Sequence, residues 1–542
     1  MRKRLQATCL VIIILGGIAQ VLWFGSKLRR DVDFDGMTYT ALAEDIKTGQ
    51  IVESINAFRS PLISWLIALV PQLNVLDAGK LVTVLTFLFT AALLFEFAFR
   101  LWQSRSIAIV AALLFVLARG TPFFSVAFVT PDFLLAALVV SYFMTVLRHL
   151  RRGTVWWWRV GVLHGVAFLA KAIALPWLTL CSLVAIVASP APRKVKLIRF
   201  SSAVLIPLVV AALWGFALYT KYGVFTTGSQ FRTNLLQWTL HGLVPQPPSK
   251  YAVLRDISDR TSNYMAYDPM PPGSWEWKYH PNLRIVLSRM LVIEFENLPL
   301  IAKEMLVLLT PGIPIASLAM CFVLTKSRRW SPEWAIVITA MIGSLVLVLA
   351  YGMLAVDTRY FYPVLPLWFA IGAAFIASHA TGFKRLLQIV CVALTVGGVI
   401  FSLTYWASPF RVQKRDWQTS CRSAGGTLLR HRARTAVSIG SGPYPQHGVG
   451  WEAGFISCYF SGHTRLIAAA DSIPSSVNGV AHDVSEATPD AVLVWDPHSI
   501  QRSSVVKALA GDYAEAEQIA DDDLGVVGVI LFRRQYSPAS VP

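Results

Sequence analysis

Charge is what this sequence has little of. Only 15% of its 542 residues are charged, against about a quarter in a soluble globular protein. Acids are scarcer than bases, 31 Asp and Glu against 48 Lys and Arg, which gives a formal net charge of +17. That excess does not argue for nucleic acid as a partner. Many of the basic residues sit in short stretches between apolar runs, where such residues set membrane topology. Cysteine is sparse too, six in all, and no Cys/His set has the spacing of a metal site. The chain has no internal repeat and no low-complexity segment, which excludes a solenoid or a collagen-like rod. What it has in abundance is apolar sequence: 55% of residues are hydrophobic and the mean hydropathy is +0.55. Repeated apolar runs of about 20 residues read as transmembrane helices.

Arg2, Lys3 and Arg4 precede about 20 apolar residues that reach Gly25. A secretory signal has a shorter apolar region and a small-residue cleavage site. The stretch is therefore expected to stay as a first helix, with the N-terminus in the cytoplasm. Further spans are predicted at 80–101, 106–119, 131–147, 158–173, 174–190, 200–219, 299–324, 333–355, 360–378 and 386–407. Basic residues at Arg100 and Arg105, at 148–152, at 193–196, at 326–329 and at Lys384 and Arg385 fall where an alternating count of eleven helices meets the cytoplasm. Residues 36–48 read as a short amphipathic helix. Residues 61–73, bounded by Pro61 and Pro71, suit a helix lying at the interface.

The fold class expected is an all-α polytopic membrane protein of about 11 transmembrane helices with a C-terminal extracytoplasmic α/β domain. The membrane part is residues 1–407, with a first outer loop at 26–79 and a large outer loop at 220–298 that is rich in Pro at 245–248 and 268–273. The soluble domain is 408–542. Its strand-like runs at 435–440, 491–495 and 526–532, with a helical stretch at 501–517, carry that expectation. Cys9, Cys181, Cys321 and Cys391 fall in predicted spans as packing residues. Cys421 and Cys458 fall outside the spans, in an oxidising compartment by this topology, and are the candidate disulfide pair.

Acids gather where the chain first leaves the membrane: Asp31, Asp33, Asp35, Glu44 and Asp45. Carboxylates beside lipid are costly, so the cluster is a candidate functional site. If extended, Asp33-Phe34-Asp35 turns both carboxylates to one side. Such a pair serves as general base, metal ligand or solvated loop charge. Tyr39 and then Arg59-Ser60-Pro61 follow. Asp132, after Thr130-Pro131, is either a first-turn residue favoured by the helix dipole or a second active-site carboxylate. Lys171 interrupts an apolar run and either snorkels to the interface or faces the acidic loop. Arg359, in Asp357-Thr358-Arg359-Tyr360, either pairs with Asp357 or clamps an anionic headgroup. His241, His280 and His463 are scattered and take no role.

The string Asp33-x-Asp35-x-x-x-Tyr39 after the first helix, followed by Arg59-Ser60-Pro61-Leu62-Ile63-Ser64-Trp65-Leu66, resembles the first outer loop of the GT-C glycosyltransferases. The nearest likeness is to the lipid A aminoarabinose transferase and the protein O-mannosyltransferases. Residues 131–135, 165–171 and 359–366 continue the likeness in order, so that it covers roughly residues 5–380. The resemblance implies an integral glycosyltransferase of the bacterial cytoplasmic (inner) membrane. It would take a sugar from a polyprenyl-phosphate donor and pass it, with inversion, to a cell-envelope glycan, lipid or protein on the periplasmic side.

By position in the motif, Asp35 matches the family's catalytic carboxylate, and Arg59 its basic residue near the donor phosphate. Asp33 and Asp132 are the other candidate catalytic acids. Arg359 and Lys171 complete the phosphate site, and Tyr39 and Tyr360 are candidate substrate contacts. Two departures stand out: Gly36 replaces the second acid of many relatives, and Arg59-Ser60-Pro61 replaces their Lys-Pro-Pro. No WWDYG-type signature is present, which argues against an oligosaccharyltransferase. No cofactor is implied; a divalent metal is allowed at the acidic pair but not required, because Arg and Lys can hold the leaving phosphate. Two rival readings are a transporter or flippase of a polyprenyl-linked or other anionic lipid, with its acids as proton relays near the midplane, and a non-catalytic assembly protein that presents the tail.

Overall fold

Apolar runs become helices because a chain in lipid must satisfy its own backbone polar groups. In the computed structural model the described residues are 2–28, 33–118, 120–240, 255–256, 261–262, 266–267, 272, 281–326, 330–353, 358–378, 382–407, 417–440, 450–462, 464–470, 477–495, 499–521 and 525–534. Helices come first: α1 (Arg2–Leu28), α2 (Phe34–Lys47), α3 (Leu62–Ala68), α4 (Val75–Trp102), α5 (Arg105–Leu117), α6 (Gly120–Ala127), α7 (Asp132–Arg152), α8 (Trp158–Ala170), α9 (Ala174–Val187), α10 (Arg193–Tyr222) and α11 (Gln230–Asn234). A π-helical turn (Leu235–Thr239) and three two-residue strands follow: β1 (Arg255–Asp256), β2 (Thr261–Ser262) and β3 (Ala266–Tyr267). Next are α12 (Leu283–Leu309), α13 (Gly312–Lys326), α14 (Pro332–Gly352), a 3₁₀ turn (Thr358–Phe361), α15 (Leu365–Ile376) and α16 (Phe383–Ala407). The tail runs α17 (Trp417–Arg430), β4 (Thr435–Gly440), α18 (Gly450–Ser461), β5 (Arg465–Ala470), α19 (Val477–Ala487), β6 (Ala491–Trp495), α20 (Ser499–Leu509), β7 (Tyr513–Asp521) and β8 (Gly525–Arg533).

Each predicted span meets a helix. Among the described residues, four helices are long and apolar enough by themselves to cross a membrane: α4, α7, α10 and α14, or five if the bent pair α5 and α6 counts as one. Shorter apolar helices make up most of the rest, including α8, α9, α13 and α15. The span expected at 299–324 is corrected. It straddles the end of α12 and the start of α13, with the break at Thr310, whose φ is +57°. The residue before a proline is driven out of the helical region, and Pro311 follows. Helix α12 begins at Leu283, within the stretch 220–298 that the sequence reads as an outer loop.

The described residues form two compact units. One holds Met1–Arg30, Ile55–Val244 and Trp277–Ser408; the other holds Asp31–Ser54, Pro245–Glu276 and Pro409–Pro542. Two segments that the sequence assigns to the membrane part therefore join the tail.

In the first unit, Phe87 of α4, Phe115 of α5 and Phe133 of α7 are fully buried and meet edge to face or stacked, and Phe115 also meets Phe369 of α15. Small residues bring α8 against α10. A Cβ on Gly161 would stand 2.8 Å from the Ser202 carbonyl oxygen, and one on Gly165 would stand 3.1 Å from Val210. This four-residue spacing of glycines is how membrane helices approach closely.

The second unit is a sheet in the order β1-β5-β4-β6-β8-β7, parallel between β5, β4 and β6 and antiparallel elsewhere. Val437, Val492, Val494 and Leu531 form its core with Val480 and Val484 of α19 and Val505 of α20. Helix α2 packs on α18 and β3. The helical stretch predicted at 501–517 is helix only to Leu509; residues 513–521 are strand β7, paired with β8. The expected disulfide is also corrected: no bridge joins Cys421 and Cys458, both fully buried. Burial pushes the Cys458 thiol up from its ordinary pKa, away from the reactive thiolate.

Candidate active site

The first unit builds its cluster from helix ends. Asp132 is the first residue of α7, after Pro131, as the helix-start reading of the sequence has it. Lys171 caps α8, its extended backbone (φ −158°, ψ 124°) ending the helix and its N–H donating to the Ala167 carbonyl at 2.9 Å. The two meet: Lys171 Nζ donates to Asp132 Oδ1 at 2.6 Å. Both side chains are almost wholly shut from solvent, 7% and 2% exposed, so Lys171 does not snorkel.

Two tyrosines complete this cation's surroundings. The Lys171 ammonium stands 4.6 Å from the ring centre of Tyr360 and 5.5 Å from that of Tyr351. The rings are stacked at 4.3 Å. Arg359, half-buried in the 3₁₀ turn, lies 5.7 Å from the Tyr360 ring. Two cations thus approach the Tyr360 ring, each attracted by its quadrupole, an attraction that is stronger where water is excluded. Asp357, the proposed alternative partner of Arg359, lies outside the described residues.

Arg59 is set by a folded loop. Asn56 Oδ1 accepts the backbone N–H groups of Phe58 and Arg59 at 2.9 and 2.8 Å, an Asx turn. The loop is tied to α10 and to the residue before α11: Lys221 Nζ donates to the Ile55 carbonyl at 2.7 Å, and Ser229 N–H to that of Ala57 at 2.7 Å. Arg59 is 5% exposed, its guanidinium 4.3 Å from the Phe58 ring centre.

The acids of the first loop belong to the second unit. Helix α2 begins between them, so the extended pairing expected for Asp33 and Asp35 is not formed. Asp33 is the extended N-cap residue of α2, its carbonyl accepting Met37 N–H at 2.9 Å, and Asp35 lies in the first helical turn. Both are half-buried. An anionic side chain there is stabilised by the helix N-terminus. Tyr39, one turn on, is 4% exposed and packs inward.

Sequence reading missed two polar residues. Tyr351 gave a signal only as an aromatic at a span end. Lys80 is a buried charge, 7% exposed, at the start of the apolar run of α4. Its ammonium donates to the Val126 and Ala127 carbonyls at the end of α6, where a helix favours a cation. Among the described residues, no group of three or more His, Cys, Asp or Glu is placed to hold a metal.

Neither a protein-family model nor a curated protein matches this chain. Solved structures do. The chain has the fold of ArnT. Against the crystal structure of ArnT from Cupriavidus metallidurans bound to undecaprenyl phosphate, it aligns over 96% of its length and 97% of that chain, with 14% identity and a TM-score of 0.53. Against the apo ArnT structure from the same organism, the figures are 97%, 98%, 13% and 0.52. At this identity the likeness is one of architecture, the GT-C fold. It runs through the α/β tail as well as the helices, so the ArnT likeness covers the whole chain organisation.

Proposed function

We propose that this protein is a glycosyltransferase of the bacterial inner membrane. It moves a sugar from a polyprenyl-phosphate donor to a hydroxyl or phosphate group of a cell-envelope acceptor on the outer face, with inversion. The observation that carries the reading is the buried Lys171–Asp132 pair with Tyr360 and the half-buried Arg359 beside it, in a fold whose ArnT relative holds undecaprenyl phosphate. A lipid phosphate leaving group needs cations that are already desolvated and oriented.

Inverting displacement at an anomeric carbon needs one base and no covalent sugar–enzyme intermediate. Asp35 takes the proton of the acceptor hydroxyl as that oxygen bonds to the anomeric carbon. The bond from the same carbon to the phosphate oxygen breaks, and the phosphate leaves with its charge held by Arg59, Arg359 and Lys171. Asp132 keeps Lys171 charged and aimed. Asp33 supports Asp35 at the helix start. Tyr360 contacts the donor, while the inward-packed Tyr39 braces the helix that carries the acids. Transfer of labelled sugar from polyprenyl phosphate by the purified protein tests the reading; absence of transfer with every donor tried rejects it.

One observation favours a lipid transporter instead: Lys80 is buried against the carbonyl end of α6, the short helix that a bend at its other end separates from α5, and broken helices are a feature of transport sites. Movement of fluorescent polyprenyl phosphate across proteoliposomes without sugar transfer would select that reading.

A further inference from the structure

Helix α12 turns one stripe inward, formed by Val286, Glu294 and Ile301, which are 8%, 8% and 6% exposed. Such a stripe is ordinarily apolar. A carboxylate within it must find donors or destabilise the fold. Among the described residues Glu294 finds none: both oxygens are closed to solvent and neither has a hydrogen-bond partner.

The backbone beside Glu294 makes room for it. A Cβ on Gly352, the last residue of α14, would stand 2.6 and 2.9 Å from its two oxygens, so any larger residue there would displace the carboxylate from this position. Nearby donors are engaged elsewhere. The Asn297 amide donates to the Gly352 carbonyl at 2.7 Å, and the Thr239 hydroxyl to that of Met353 at 3.1 Å. The residue before Gly352 is Tyr351, whose ring stacks on Tyr360 beside the Lys171 ammonium. Helix α12 also packs against the 3₁₀ turn that holds Arg359 and Tyr360, which brings the helix of this unpartnered acid to the tyrosine pair that carries the cations.

We propose that Glu294 is a sugar-binding carboxylate, accepting hydrogen bonds from hydroxyl groups of the donor's sugar while the neighbouring cations hold its phosphate. This rests on the donor reading above. A sugar ester places its ring directly beside its phosphate, and a carboxylate with two unused oxygens is a strong acceptor for ring hydroxyls. Hydroxyl groups of the donor's sugar would supply the hydrogen bonds that the surrounding side chains do not give Glu294.

The test uses the full-length protein in proteoliposomes. Its donors are undecaprenyl phosphate carrying a hexose or a pentose, and its inhibitor is sugar-free undecaprenyl phosphate. Glu294→Ala is expected to raise donor KM by about tenfold or more, as for loss of a hydrogen bond to a charged group, with kcat little changed. Glu294→Gln, which keeps one acceptor oxygen, should fall between. Inhibition by the sugar-free lipid should be unchanged in both. Donor KM unchanged in Glu294→Ala, or inhibition weakened in parallel with KM, overturns the assignment. A second readout needs no turnover: Glu294→Gln should raise Tm, because it removes an uncompensated buried charge. A lower Tm means that the acid has a structural partner, and also overturns it. Failure of the wild-type protein to transfer sugar sinks the donor reading itself; transfer with unchanged donor KM in Glu294→Ala sinks only the role of Glu294.

Discussion

Removing one partner of the Lys171–Asp132 pair leaves the other charge buried without compensation. That change typically costs about 3–5 kcal/mol, whereas an apolar pair of similar volume is often neutral. Lys171→Met should therefore lower thermal stability sharply, and Lys171→Met with Asp132→Leu should recover most of the loss while leaving sugar transfer impaired. Melting of the two variants checks this; additive losses in the double variant would mean that the pair is not coupled. Asp35 lies on a different footing, half-buried in a first helical turn. Asp35→Asn keeps shape but cannot accept a proton, and turnover should fall by roughly 10²–10⁴ with donor binding kept. Asp33→Asn should lose less. Near-normal turnover of Asp35→Asn would move the base elsewhere. Lys171 and Asp132 were each legible in sequence, one as a charge in an apolar run and one as a helix start. That they meet at 2.6 Å was not, because 39 positions of chain separate them and only packing decides which helix ends become neighbours.

The element that carries Asp35 is held from below. Thr40 Oγ1, five residues on, lies 2.8 Å from Tyr459 Oη on α18 and 2.8 and 3.0 Å from the carbonyls of Gly36 and Met37. The threonine has a single proton, directed to those carbonyls in the first turn, so the tyrosine is the donor across the contact. Tyr459→Phe removes one hydrogen bond, on the order of 1 kcal/mol, and should speed amide exchange at residues 37–43 about fivefold; Thr40→Val also removes the bond to the first-turn carbonyls and should speed it further. Thr40→Ser should restore protection. Exchange unchanged in Tyr459→Phe would show that the contact does not hold α2. Helix α2 itself was readable to within two residues, 36–48 expected against Phe34–Lys47. Strand β7 was not. Its Ala and Glu residues favour a helix, yet pairing with β8 along Tyr513–Asp521, which buries Tyr513 and Ile519, overrides propensity.

At the scale of the molecule, the basic stretches predict a cytoplasmic residue 328 and an external residue 410. Reporter fusions at these two positions check the orientation, and a cytoplasmic signal at 410 would invert it. The sequence by itself determined the class, the order of apolar helices, the α/β tail and the motif set around Asp35, Arg59 and Arg359. Those follow from hydropathy, basic loops and turn residues, which act over one or two turns of chain and need no tertiary contact. Only the tertiary structure decided that residues 31–54 and 245–276 join the tail in one unit. It also set Lys171 against Asp132, left Cys421 and Cys458 unbridged, and enclosed Glu294 beside Gly352. Burial and pairing of that kind depend on which surfaces pack together, and a side chain's neighbours across a fold have no fixed spacing in the chain.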